Sequence, residues 1–161
     1  MCILLYLNAY LKGGSYVVNQ IYFFCSGDSN RAQIAEGFAR EYLGKEVSFI
    51  STSYPEEKLI LPMPVAIMRE IGIDISSIES PSFALDKLLE SDYLISICEK
   101  PVEEVIDLPS HIKHVHIQVE DPLREGDYFT QLQSYRKIRD TIGSYIKKFA
   151  ESLNYAKGID I

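Results

Sequence analysis

The chain has 161 residues, 24% of them charged and 47% hydrophobic, with a formal net charge of −7. That length suits one domain with a proper core, and the composition contains no low-complexity tract or internal repeat. The acidic balance argues against nucleic acid or an anionic membrane as partner, so any anion site must be a local positive spot.

The first nineteen residues read as an appendage of no assignable role, ahead of a domain over 20–153 and a short tail over 154–161. The run Cys2-Ile3-Leu4-Leu5-Tyr6-Leu7 is apolar but too short to span a bilayer. It lacks the basic flank and small-residue cleavage site of a secretory signal. Cys2, Cys25 and Cys98 are odd in number and do not read as a disulfide framework, so a reducing, cytoplasmic setting is expected.

From residue 21 onward, strand and helix patterns alternate. Ile21-Tyr22-Phe23-Phe24-Cys25 is a continuous apolar run of the kind found in a buried parallel strand. A small-residue loop follows. Then Ile34, Ala35, Phe38, Ala39, Tyr42 and Leu43 recur at helical spacing, which predicts a helix over 30–43 that stops at Gly44. Further strands are predicted at 47–51, 93–98 and 114–119, and further helices at 64–71, 83–90 and about 129–153. In the last helix, Leu132, Tyr135, Ile138, Ile142, Tyr145, Ile146 and Phe149 form one apolar stripe, read as core packing. Such alternation implies an α/β fold of three layers: a four-stranded parallel sheet with helices on both faces. Ligands in these sheets bind beyond the carboxyl ends of the strands. Cys25 and Cys98 fall at such ends, and Asp121 closely follows the fourth strand.

The loop between the first strand and first helix reads Cys25-Ser26-Gly27-Asp28-Ser29-Asn30-Arg31-Ala32. Five residues between the thiol and the guanidinium let the chain curl around a tetrahedral oxyanion with backbone N–H groups turned inward. The helix N-terminus adds a positive dipole, and the arginine offers a planar fork to two oxygens. The same field favours the Cys25 thiolate, the form a covalent catalyst needs. No Gly-Lys-Ser/Thr follows, so this is not a nucleotide-binding Walker loop.

On this loop, on Gln33-Ile34-Ala35-Glu36-Gly37-Phe38, on Ile71-Gly72-Ile73-Asp74-Ile75-Ser76 and on Asp121-Pro122, the chain from about 21 to 153 resembles the low-molecular-weight protein tyrosine phosphatase superfamily, particularly its arsenate reductase branch. The resemblance implies that Cys25 is the nucleophile, that Arg31 and the loop residues Ser26, Gly27, Asp28, Ser29, Asn30 and Ala32 hold the anion, and that Asp121 protonates the departing oxygen. No metal or organic cofactor is implied. Departures matter. Asp28 replaces a customary Asn, Ala32 a customary Ser, and Asn30 a Cys that in relatives can protect the nucleophile; the first two predict a slower enzyme. Cys98 matches the second cysteine of arsenate reductases, but Val105 stands where a third would resolve the disulfide. Cys98 is therefore either a redox thiol served by an external reductant or a packed strand-end thiol.

The reading that follows is a phosphomonoester hydrolase working through a phosphocysteine, with a phosphorylated protein or aryl phosphate as substrate. The alternative is an arsenate reductase that uses Cys25 and Cys98 with thioredoxin or another external thiol, and a second alternative is a weakly active oxyanion-binding relative. Tyr54, Tyr128 and Phe129 either flank an aromatic substrate or pack the loop against the last helix. Ser51, Glu36 and Asp28 match a potassium site of some arsenate reductases, but Pro81 stands at the further acidic position and no metal site is expected. His111, His114 and His116 are read as surface or sheet residues.

Overall fold

The computed structural model describes residues 17–27, 30–54, 61–99 and 107–156, with side chains to residue 153. Cys2, Asp28, Ser29 and Val105, all singled out above, lie outside the described residues. Among the described residues, four strands and four helices follow in the order β1 (Gln20–Ser26), α1 (Asn30–Leu43), β2 (Ser48–Tyr54), α2 (Pro62–Arg69), α3 (Leu85–Leu89), β3 (Tyr93–Cys98), β4 (Lys113–Gln118) and α4 (Tyr128–Ala156). Every strand pairing is parallel, and the order across the sheet is β2-β1-β3-β4.

Each predicted element is present, with shifted ends. The strand expected at 47–51 begins at Ser48 and runs on to Tyr54. Its polar end was invisible to a hydrophobic criterion, yet Thr52 and Ser53 are buried and continue the ladder, pairing with Phe24 and Cys25. Helix α2 starts two residues earlier than expected, at Pro62, because proline suits a first turn whose N–H groups have no helical partner. Helix α3 is only five residues long, since Ala84 before it is still extended and its N–H donates to the Tyr22 hydroxyl at 3.2 Å.

Alternation along the strands separates the two faces of the sheet. Ile21, Phe23 and Cys25 share a face with Tyr93, whose ring meets Phe149 of α4 edge-on at 5.1 Å. Helices α1 and α4 lie against each other on that side, with α2 packed beside them. Tyr22 and Phe24 point the other way and both meet Phe83 edge-on, so Phe83 and the α3 region cover the second face. The main apolar core lies between the sheet and the α1–α4 layer, where Ile34, Ala35, Ile95, Ile142 and Ile146 are fully buried. A Cβ on Gly143 of α4 would lie 2.5 Å from Phe38 Cζ, so glycine allows α1 and α4 their close approach.

This order places the reversal of connection between β1 and β3. A sheet of this kind opens its crevice outside the carboxyl ends of those two strands. Those ends carry Cys25 and Cys98.

Candidate active site

Strand β1 delivers Cys25 to its carboxyl end fully buried, with Sγ 4.0 Å from the Thr52 carbonyl oxygen of β2. Gly27 follows at φ +82°, a left-handed conformation that turns the chain out of the strand and that other residues adopt only with strain. Its N–H donates to the Tyr54 carbonyl, which ties the start of the loop to the end of β2. Helix α1 begins three residues later at Asn30, so the positive end of its dipole lies close after that turn. Asn30 is fully buried, and its Oδ1 accepts the N–H of Leu61 at 3.3 Å, joining the loop to the start of α2.

Arg31 is the centre of the arrangement. It is the largest of the fully buried side chains, at 1% exposure. Nη1 donates to the Val119 carbonyl at 3.1 Å, and Nη2 donates to the Ser26 carbonyl at 2.6 Å. Nη2 also makes an ion pair with Asp121. Nε is buried and has no hydrogen-bond partner among the described residues. A buried charge needs such partners to offset its desolvation. Here they come from the loop on one side and from the chain after β4 on the other. The fold therefore brings Arg31 into direct contact with Asp121, distant from it in sequence, and ties its guanidinium to Ser26, the residue after Cys25.

Cys98 is different. Like Cys25 it is in no disulfide among the described residues, and it is only 2% exposed. The register Phe24↔Ser96 makes Cys25 level with Ile97, so Cys98 projects from the opposite face of the sheet to Cys25. Both thiols reach the same edge, as the alternating pattern implied, but strand parity separates them. That parity needs the inter-strand register, which no single segment of sequence carries.

The neighbouring candidates resolve as follows. Glu36 of α1 is buried and accepts from Arg40 Nε at 2.8 Å and from the Ser51 hydroxyl. Burial raises its pKa above the ordinary 4.5 in spite of the Arg40 contact. Two of the residues matched to a potassium site are thus engaged with each other and with a guanidinium of the chain. Tyr54 meets Phe83 edge-on at 6.5 Å but is 60% exposed, and Tyr128 and Phe129 in the first turn of α4 are 67% and 64% exposed. That exposure excludes the packing alternative for Tyr128 and Phe129. His114 and His116 both lie on β4 and share the Ser96 hydroxyl at 2.7 and 2.9 Å, while His111 sits at the Leu89 carbonyl; all three are the surface or sheet residues expected. The backbone acceptors at Ser26 and Val119 and the Asn30–Leu61 tie were not foreseen, because a carbonyl has no residue-type signature.

A family model described as "Low molecular weight phosphotyrosine protein phosphatase" matches residues 20–158. The chain belongs to this family. Within the low-molecular-weight phosphotyrosine phosphatase family, several similar curated relatives are named arsenate reductase. The arsenate reductase of Shouchella clausii is 37% identical over 133 residues, covering 82% of this chain and 95% of that protein. The arsenate reductase of Bacillus subtilis is 36% identical over the same shares. Among solved structures, an arsenate reductase in a phosphate-binding state superposes with a TM-score of 0.63 at 26% identity, covering 84% of this chain and 98% of that one. A protein tyrosine phosphatase structure reaches a TM-score of 0.72 at 14% identity, a likeness of fold alone, over 86% of this chain and 97% of that one. The expectation of a phosphomonoester hydrolase is corrected by these relatives: the sequence likeness runs to arsenate reductases. Val105 in place of a third cysteine favours the hydrolase, but Cys98 matches the second cysteine of these relatives. No helix among the described residues is long and apolar enough to cross a membrane.

Proposed function

We propose that the chain is an arsenate reductase, with Cys25 as the nucleophile and Cys98 as the second thiol. The observation that carries this reading is the 36–38% identity, over 82% of the chain, to proteins named arsenate reductase. The site chemistry supports it. Arsenate is a tetrahedral oxyanion, and a buried guanidinium beside a helix N-terminus offers it charge and directed donors.

In the first step the Cys25 thiolate attacks arsenic and forms an S–As bond, while a hydroxyl on arsenic takes one further proton, from Asp121 in the role the resemblance implies, and leaves as water. Arg31 holds the remaining oxygens and the developing charge. In the second step the Cys98 thiolate attacks the Cys25 sulfur. The S–As electron pair passes to arsenic, which departs as arsenite, and the two sulfurs are left as a disulfide. Two electrons have moved from two thiols to arsenic. An external dithiol of the thioredoxin class then reduces the disulfide by exchange. Val105 in place of a third cysteine leaves that task to the external thiol, and the relay suits a reducing compartment such as the cytoplasm.

The second step demands motion. A disulfide requires Cβ atoms about 3.5–4.5 Å apart and facing, whereas Cys98 projects from the far face of the sheet. The end of β3 must turn over for the sulfurs to meet. The test is arsenate-dependent NADPH oxidation in the presence of thioredoxin and its reductase, repeated with glutaredoxin and glutathione. Turnover with at least one reductant, abolished in Cys98→Ser, is expected. No arsenate reduction with either system would overturn the reading, and full turnover in Cys98→Ser would remove Cys98 from the relay.

A further inference from the structure

Arg31 and Asp121 differ in one respect that bears on how an anion enters. Arg31 has 2% of its side chain exposed and Asp121 has 64%. The guanidinium is fixed from two sides, by the Val119 and Ser26 carbonyls, whatever Asp121 does. The carboxylate has solvent around it and sits in a non-helical segment ahead of α4. If the pair opens, the carboxylate is the partner that moves.

The donors of Arg31 define what replaces it. A tetrahedral oxyanion held by a guanidinium edge takes two parallel N–H groups. Nε is buried with no acceptor among the described residues, and the adjacent Nη2 donates to the Ser26 carbonyl and pairs with Asp121. One half of the Nε–Nη2 edge therefore lacks an acceptor, and the other half is engaged by a carboxylate of the chain itself.

We propose that Asp121 is an internal competitor for the oxyanion, so that arsenate or phosphate binds at Arg31 by exchange, anion oxygen in and carboxylate out. Asp121 is then an affinity-setting residue, which weakens anion binding in the resting enzyme and opens the segment around it once an anion is seated. Exchange of this kind favours release of a product that binds Arg31 less well than the carboxylate does. Arsenite, which carries no charge at neutral pH, is such a product. The proposal rests on the anion-binding half of the reading above and is independent of the Cys98 relay.

The test is calorimetric titration of the reduced protein with inorganic phosphate, which binds without turnover. Asp121→Asn and Asp121→Ala are expected to tighten phosphate binding about 3- to 10-fold, up to the tenfold that corresponds to ~1.4 kcal/mol. Asp121→Glu, which keeps the charge, is expected to fall well short of that gain. Unchanged or weaker binding in both neutral variants would overturn the proposal. A second measurement needs no variant. In wild-type protein, amide resonances of Asp121 and of residues 123–127 should shift along the same phosphate saturation curve as the Arg31 Nε–H resonance, and a segment that does not respond would also overturn it. Tighter binding in the neutral variants, alongside a wild-type protein that fails to reduce arsenate, would sink the reductase reading and leave this one standing.

Discussion

Replacing Arg31 with lysine separates charge from geometry at the centre of the site. Lysine keeps the positive charge but offers a point-like ammonium in place of a planar fork. In the structure that fork spans two pieces of chain, with Nη1 on the Val119 carbonyl and Nη2 on the Ser26 carbonyl, while Nη2 also pairs with Asp121. An ammonium cannot reach both carbonyls, so at least one is left unsatisfied at a buried position. Losing one or two charge-assisted hydrogen bonds of this kind costs about 2–4 kcal/mol. For a chain of this size that corresponds to a fall in Tm of roughly 5–15 °C. Phosphate binding should be lost over the same concentration range in which wild type saturates, because the paired Nε and Nη2 donors are gone. Differential scanning fluorimetry with and without phosphate reads both effects. An Arg31→Lys protein that melts within about 2 °C of wild type and is stabilised by phosphate to the same extent would refute the view that this fork both staples and charges the site.

Two other predictions concern the layer beneath the site. Gly143→Ala adds a Cβ that would stand 2.5 to 3.0 Å from three Phe38 ring atoms. The helix-propensity gain of about 1 kcal/mol should be outweighed by overpacking of ~1–3 kcal/mol; a rise in Tm would contradict the close α1–α4 contact, and a Phe38→Leu partner substitution should recover part of the loss. Glu70, at the end of α2, is gripped by Arg136 Nη2 at 2.6 Å and Arg139 Nη1 at 2.9 Å, which holds its carboxyl below the ordinary 4.5. As pH falls the unfolded chain takes up the proton first, so this stabilisation is present above about pH 4.5 and is lost as pH drops through the lower folded-state value. Glu70→Gln should flatten that acid limb in thermal melts, and an unaltered limb would count against the bridge.

Much of the site was legible because it is local. A thiol and a guanidinium six positions apart, between an apolar run and a helical stripe, define strand, loop and helix without reference to the rest of the chain. The parallel sheet followed from alternation alone. The weak points were polar. Thr52 and Ser53 extend β2 while buried, and Asn30 and Gln33 of α1 reach the backbone at Leu61 and Ile78. None of these residue types announces burial, so hydrophobic patterning passed over them.

The choice between hydrolase and reductase was also beyond the residues themselves. One loop serves both chemistries, and Cys98 with Val105 points both ways until relatives over most of the chain are compared.

What the amino-acid order determined by itself is the strand–turn–helix that carries Cys25 and Arg31 and the alternating layout around it, since each depends on contacts within about fifteen residues. What only the tertiary structure decided is where distant groups meet. Arg31 finds Val119 and Asp121 across the sheet, and Cys98 turns away from Cys25. Those outcomes depend on strand register, and in a sheet a shift of one residue exchanges one face for the other.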